Sequence, residues 1–572
     1  MAARSADAET LPGERLWLGI VLAVALLFRL LRFERVAVLF NDGPVFLALA
    51  ERFRAGDVAG ALAHPFHPLY PAAIAAAHAL LGPLGVSLER SAAIVSALAG
   101  TAAVLALWTF ARSAFGPRAA LVAAALLAVH AGAVETSGDV QSEALYLALF
   151  LAALAALWHA LDRGRLGAAL AAGAFSGLAY LTRPEGLGVA ALGAGLAGFG
   201  LVTGRWPGRR RVAVAAAAAV AAALVAAPYV GWLSAEEGTL ALTRKKSVSW
   251  VVGVPGAQGE PGGLATGQPG LEAPRVRQTA EALAAEIARR SAADAAGVTN
   301  RATTAPRAND PVFDSLVAPP WTARGAGSAL ADLLGTARRA FRLEMLLLVA
   351  AGVLAARAAG GWRPGPRGGF VAAVVGLYGS LLFGLAMNVG YVSSRHLLPP
   401  LAPLLGYAGL GVVAAGERAA RGLAPERAAV RRRAVVATLV GAVALLCVGK
   451  SLWRMDQRGE VAERIAAEWL RTSQGSGRVV AARKRRVAYY AGAPFVQLRP
   501  KRPEGFLRYF ADHDVRFVVV NEHDLPEYVG LAPLIGPVLE EVRRVEAEGE
   551  TALVLGFRPT PAVAAERRER DQ

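Results

Sequence analysis

The pattern that dominates this chain is a succession of long apolar runs separated by short polar loops. A membrane helix needs ~20 mainly apolar residues, because each adds ~1.5 Å against a hydrocarbon core ~30 Å thick. About eleven stretches meet or approach that demand: 16–33, 91–111, 119–135, 143–161, 166–182, 187–203, 212–233, 343–357, 370–389, 397–415 and 434–453. The expected fold class is a polytopic α-helical membrane protein. The first run is long, shows no clear small-residue cleavage site, and leads into Arg29, Arg32 and Arg35, so it reads as an uncleaved first helix.

Arginine placement sets the expected orientation. Alternate loops carry Arg112 and Arg118, then Arg163 and Arg165, then Arg205 with Arg209, Arg210 and Arg211. The next two carry Arg357, Arg363 and Arg367, then Arg418, Arg421, Arg427, Arg431, Arg432 and Arg433. Basic residues concentrate in short cytoplasmic loops, so all of these fall on one side if the N-terminus is inside. With an odd helix count, the C-terminal region then lies outside.

Three segments break the membrane pattern. Residues 34–87 form a first outer loop with amphipathic stretches over Val45–Phe53 and Ala72–Leu81. Pro65, Pro68 and Pro71 prevent one continuous helix between them. Residues 234–340 form a long outer insert: Val254–Pro274 reads as irregular, Gln278–Ser291 as a helix, and no fold is assigned to the whole. Residues 455–572 read as a small α/β domain, in contrast to the membrane body over 1–453. Its expected elements are a helix over Val461–Arg471, a strand over Val479–Ala482, a helix over Phe506–His513 and a strand over Arg516–Val520. A helix over Val538–Glu546 and a strand over Ala552–Phe557 follow, ahead of a charged tail over Ala562–Gln572.

Composition narrows the class further. A hydrophobic content of 55% and a mean hydropathy of +0.41 exclude an ordinary soluble chain of 572 residues. A net charge of +17 would fit nucleic acid, but much of it lies in the loops assigned to the cytoplasm, where topology and anionic lipids account for it. No nucleic-acid partner is expected. The single cysteine, Cys447, permits no intrachain disulfide and no zinc knuckle. No phosphate-binding Gly-rich loop and no serine-hydrolase elbow occurs, which argues against nucleotide hydrolysis as an energy source.

The candidate chemistry clusters at one predicted surface. Asp42 follows the first apolar helix at headgroup depth, where a carboxylate can take a proton from an acceptor; Asn41-Asp42-Gly43-Pro44 reads equally as a plain turn. Glu135, Asp139 and Glu143 are spaced by four and would share a face if helical, with Gly138 placed to break it. Ionisable groups near hydrocarbon usually face a cavity or a partner. Arg183 and Glu185, within Thr182-Arg183-Pro184-Glu185-Gly186, could pair, or Arg183 could hold a lipid phosphate through its planar fork. Arg395 and His396 open another helix on that side, and Arg244-Lys245-Lys246 is a further basic cluster, equally readable as headgroup attraction. His64 and His67 look like a metal pair only superficially, since Pro65 and Pro68 disfavour the helix that would align them; no metal site is assigned.

In order and topology these segments resemble the polytopic glycosyltransferases of the GT-C superfamily. They are most similar to family 39, the dolichyl-phosphate-mannose protein mannosyltransferase-like group, which includes bacterial enzymes that add aminoarabinose to lipid A or galacturonic acid to lipopolysaccharide core. The matching residues are Asp42, the stretch His64 to Tyr70 and Pro71, Gly138 to Tyr146, Ser176 to Gly186, and Arg395-His396-Leu397-Leu398-Pro399. Gly43 stands where the family commonly has a second acidic residue.

The resemblance implies a polyprenyl-phosphate-linked sugar donor and a lipid, glycan or protein acceptor, joined on the outer face of a bacterial inner membrane. It implies Asp42, with Asp139 and Glu143, as catalytic carboxylates, and Arg183, Arg395, His396, Arg244, Lys245 and Lys246 as candidates for the donor phosphate. His64, His67, Tyr70 and Glu185 would line the substrate loop. No cofactor is required by that scheme, although some GT-C enzymes use a divalent metal. The competing readings are a transporter or lipid flippase, which would more often show midplane charges and inverted repeats, and a non-catalytic membrane assembly protein.

Overall fold

The computed structural model describes residues 11–203, 209–244, 325–360, 366–389, 392–455, 460–475, 477–498 and 503–557. Arg205, Lys245, Lys246 and Arg363 lie outside the described residues, as do the expected irregular stretch 254–274, the expected helix 278–291 and the charged tail 562–572. The described chain forms two compact units: one holds residues 11–35, 49–244 and 325–455, the other 36–48 and 460–557.

The first unit is helical. Its elements are α1 (Glu14–Glu34), the C-terminal part of α2 (Gly43–Arg54), α3 (Val58–Leu62), α4 (Leu69–Leu81), α5 (Leu88–Phe115), α6 (Pro117–Val129) and α7 (Ala131–Ser137). Next come α8 (Glu143–Arg163), α9 (Leu166–Thr182), α10 (Gly188–Thr203), α11 (Arg209–Glu237), α12 (Ala326–Phe341) and α13 (Leu343–Gly360). The unit closes with α14 (Pro366–Val389), α15 (Ser394–Leu401), α16 (Leu405–Ala419) and α17 (Pro425–Met455). Each apolar run of the sequence falls on one of these helices or on a broken pair. Among the described residues, seven helical stretches are long and apolar enough to cross a membrane. The pair α6–α7, bent by 57°, makes an eighth, whereas Leu166–Thr182 is apolar but shorter.

Packing within this unit follows membrane rules. Lipid gives helices no hydrophobic reason to associate, so close approach depends on small side chains. A Cβ on Gly173 of α9 would collide with the Ala218 carbonyl of α11, so glycine there lets the two backbones touch. Phe110, Trp158 and Phe370 join α5, α8 and α14, with Trp158 and Phe370 ring centres 5.4 Å apart. Leu224, Leu354 and Leu445 are left exposed, as a lipid-facing surface requires.

The loop following α7 positions the candidate site. His130, between α6 and α7, has ψ 118, outside the helical range, and its Nδ1 accepts the Ala133 N–H at 3.3 Å, capping α7. Helix α7 ends at Ser137, and α8 starts afresh at Glu143. Glu135, Asp139 and Glu143 therefore do not share a helix face: the break at Gly138 assigns them to a helix end, a buried turn and a helix start. A Cβ on Gly138 would strike the Arg32 side chain, so the turn needs glycine to pack against α1.

The second unit is a five-stranded sheet with helices. Strands β1 (Val480–Ala482), β2 (Phe495–Gln497), β3 (Phe517–Asn521), β4 (Leu539–Ala547) and β5 (Glu550–Phe557) are ordered β2-β1-β3-β5-β4. Strand β1 runs parallel to β2 and β3, and β5 is antiparallel to β3 and β4. Helices α18 (Val461–Ser473), α19 (Arg485–Ala491) and α20 (Pro503–Asp512) complete it, with Phe506, Phe510, Val518 and Leu555 in one core.

One sequence expectation fails here. Val538–Glu546 is the strand β4, not a helix. Leu539, Val542 and Val545 recur every three residues and imitate one face of a helix. The pairing shifts between Glu541 and Arg543, so a β-bulge absorbs Val542 and lets Leu539 and Val545 both point inward. Glu548 (φ 51) and Gly549 (φ 82) then make the two-residue turn into β5.

Candidate active site

Three chain-distant helix ends converge on Glu143. Pro184 ends α9, leaving Arg183 extended at its C-cap with φ −153, and Arg395 lies in the first turn of α15. Arg183 Nη1 donates to Glu143 Oε1 at 2.8 Å, and Arg395 Nη1 pairs with the same oxygen at 3.2 Å. Arg183 also meets Glu185 Oε1 at 3.5 Å. The side chains of Arg183 and Glu143 are only 10% and 9% exposed. Burying one such charge alone would cost several kcal/mol, so mutual pairing is what makes the arrangement tenable. His396 lies within electrostatic reach of all four charges, and its imidazole closes a capping box with Ser393.

The surrounding frame is aromatic. The Arg183 guanidinium sits 5.8 Å from the Tyr146 ring centre. Tyr378 donates to the Glu185 carbonyl at 3.0 Å. Ser176 donates to the Gly186 carbonyl at 2.7 Å and accepts the Ala190 N–H at 3.2 Å, fixing the turn that carries Arg183 and Glu185. A Cβ on Gly186 would collide with the backbone at Ala179 and Tyr180, so only glycine lets this turn close.

Asp139 is buried, and its Oδ1 accepts the Val140 N–H at 2.7 Å. It interacts electrostatically with Arg32, as Glu135 does. Asp139 and Glu143 thus face different cations. Tyr70 is fully buried, its hydroxyl 2.7 Å from Ser96 Oγ and within electrostatic reach of Asp139 and Glu143.

His64, His67 and Arg244 belong to a second cluster of the same unit. His64 Nδ1 accepts the Phe66 N–H at 3.0 Å, a local turn contact. His67 Nε2 lies 3.1 Å from Thr243 Oγ1, with its ring 5.0 Å from Tyr180 and 5.3 Å from Tyr229. Arg244 donates to the Ala63 carbonyl at 2.7 Å, pairs with Glu237 at 2.5 Å and covers Trp232. These bonds tie the loop after α3 to the segment that follows α11. No group of three or more His, Cys, Asp or Glu side chains suited to a metal occurs among the described residues.

Asp42 belongs to the other unit. It is half-buried, and its carbonyl accepts the Phe46 N–H at 3.2 Å as α2 begins. Beside it, Asn41 Oδ1 accepts the Arg485 N–H at 3.2 Å.

Sequence reasoning missed Tyr146, Tyr378, Tyr180, Tyr229 and Arg32 as parts of these clusters. Tyr146 carried a usable signal, because it lies three residues beyond Glu143 and so on the same helix face. Tyr378 sits mid-run in α14 with no local mark.

Residues 63–232 match the family model described as dolichyl-phosphate-mannose-protein mannosyltransferase, a span containing Glu143, Arg183 and both histidines. No curated protein matches the chain. A crystal structure of ArnT from Cupriavidus metallidurans bound to undecaprenyl phosphate superposes with TM-score 0.53 at 14% identity, covering 94% of this chain and 98% of its own. The Archaeoglobus fulgidus oligosaccharyltransferase tethered with an acceptor peptide gives TM-score 0.58 at 13% identity, covering 96% and 74%. AglB of the same organism, in complex with an inhibitory peptide and a dolichol-phosphate, gives 0.57 at 14% over the same shares. The helical body and the small C-terminal sheet give the chain the fold of these solved structures, and its succession of apolar helices makes it a multi-pass membrane protein.

Proposed function

We propose that this protein is a membrane glycosyltransferase that moves a sugar from a polyprenyl-phosphate carrier to a lipid, glycan or protein acceptor on the outer face. The observation that carries the reading is the buried convergence of Arg183 and Arg395 on Glu143. A guanidinium presents five N–H donors in a planar fork that matches phosphate oxygens, so two such groups gathered at one point suit a phosphate anion. Glu143 then acts as the group that holds two phosphate-binding forks in place. The polyprenyl phosphates held by ArnT and AglB support a ligand of the same chemistry.

In the reaction, an acceptor hydroxyl or amine attacks C1 of the sugar. The bond from acceptor to C1 forms as the C1–O bond to phosphate breaks, and the polyprenyl phosphate leaves with the electron pair. The arginines stabilise its developing charge. Asp42 receives the acceptor proton, and one in-line displacement inverts C1. Purified full-length protein is to be incubated with a panel of polyprenyl-phosphate sugars and acceptors, and release of polyprenyl phosphate followed. Release by the wild type, slowed ~10²–10⁴-fold in Asp42→Asn, is expected. No release from any donor would reject the reading, and near-normal turnover by Asp42→Asn would move the base to Asp139 or Glu143.

A further inference from the structure

Residues 36–41 join α1 to α2 without helix or ladder bonds of their own. Such a stretch must find partners for its backbone groups elsewhere, above all where it is buried. Val38 and Leu39 are 1% and 2% exposed. Their segment packs in the unit formed by residues 460–557, more than four hundred positions away.

The bonds come largely from α19. Tyr490 Oη accepts the Leu39 N–H at 3.0 Å, and Arg486 Nη1 donates to the Leu39 carbonyl at 3.2 Å. Residues four apart lie on one helix face, so α19 presents the two side chains together and holds both backbone groups of a single residue. The Arg485 N–H, at the start of the same helix, donates to Asn41 Oδ1. From α18, Arg464 donates to the Ala37 carbonyl and stacks 4.8 Å from the Tyr490 ring centre. Arg486 is itself held by Glu460, which also pairs with Lys484. Tyr490, Arg486, Arg485 and Arg464 each fix backbone or side-chain atoms within five residues of Asp42.

We propose that the C-terminal unit is the positioning device for Asp42, with Tyr490 and Arg486 as its positioning residues. The inference rests on the reading of Asp42 as the proton acceptor. A general base must lie within ~2.6–3.2 Å of the heavy atom whose proton it takes, and a 1 Å misplacement can cost ~10²-fold in rate. The α19 clamp constrains Leu39 and Asn41, on the approach to Asp42.

The test is a double-mutant cycle in the full-length protein with Tyr490→Phe, Asp42→Asn and the pair, and with Arg486→Lys as a second clamp variant. The readings are hydrogen exchange over residues 36–42 and the kcat and KM for polyprenyl-phosphate sugar. Tyr490→Phe is expected to speed exchange across the segment and lower kcat about tenfold or more, with donor KM within about twofold. In the Asp42→Asn background it should cost nothing further, because a positioning residue acts only through the group it places. Arg486→Lys should behave alike. Equal losses in both backgrounds would mark a merely structural role and overturn the proposal, as would faster exchange with unchanged kcat. Full activity in Asp42→Asn overturns this inference and the assignment of Asp42 while leaving transfer intact. No release by the wild type overturns the transfer reading and this inference together.

Discussion

Arg183 Nη1 lies 2.8 Å from Oε1 of Glu143, forty residues earlier in the chain, with both side chains buried. The same oxygen also holds Arg395. One carboxylate therefore balances two guanidiniums, and Glu185 adds a second negative charge beside Arg183. The family resemblance grouped Glu143 with the catalytic carboxylates; its contacts fit a residue that places cations.

Loss of that carboxylate should be felt as stability. Glu143→Gln removes the carboxylate that Arg183 and Arg395 share, and removing one partner of a buried pair costs ~3–5 kcal/mol. Glu185 is more exposed, at 27%, and meets Arg183 at the longer distance. Glu143→Gln should lower the thermal unfolding midpoint in detergent clearly more than Glu185→Gln. Equal midpoints for the two variants would deny Glu143 its central place.

Donor binding should depend on the arginine fork rather than on charge alone. Lys keeps the charge but cannot form two parallel bonds to one phosphate. At least one of Arg183→Lys and Arg395→Lys is expected to weaken binding of undecaprenyl phosphate about tenfold, ~1.4 kcal/mol, by titration calorimetry. If Glu185→Gln behaves like Arg183→Lys and neither arginine variant changes that affinity, both arginines are structural. The basic run at 244–246 then becomes the phosphate candidate.

The second unit should lose stability as pH rises from about 4.5 to about 7. Burial pushes the Glu463 carboxyl up to about 7, against the pull of Lys484 and Arg486 and with help from Glu460 and Asp524. The native state thus favours the protonated acid. Its contribution is full below the unfolded value of about 4.5, declines as pH rises towards 7, and is flat above; the span is worth about 3 kcal/mol. Glu463→Gln keeps the neutral shape, so the variant should be the more stable one at pH 8 and the difference should vanish near pH 4. Hydrogen exchange in β1 and β3 reads this out, and a pH-independent difference would count against it.

The orientation drawn from the arginine loops predicts an outer C-terminal unit. A cysteine placed within 460–555 of a Cys447→Ala chain should react with an impermeant thiol reagent in intact spheroplasts. Labelling only after lysis would reverse the topology and remove an outer active site.

Local sequence determined the elements. Apolar runs of membrane length, ended by Pro, Gly and Arg, foretold the long apolar helices of the first unit but not α12, because spanning hydrocarbon is a demand that each apolar segment meets alone. The α/β alternation after residue 455 was legible in part, from short apolar runs between turns; a bulge disguised the strand at Val538–Glu546, and α19 and β2 carried no expectation. What local pattern cannot encode is which distant side chains meet. Glu143, Arg183 and Arg395 stand at ends of separate helices, and only helix packing brings them to one oxygen. The break after α7 separated Asp139 from Glu143 and gave each a different partner, a choice made by the close fit of Gly138 against Arg32. Tertiary structure also decided the company of Asp42. Nothing near residue 42 announces α19; the unpaired backbone of a buried loop needed donors and acceptors, and the fold supplied them from the far end of the chain.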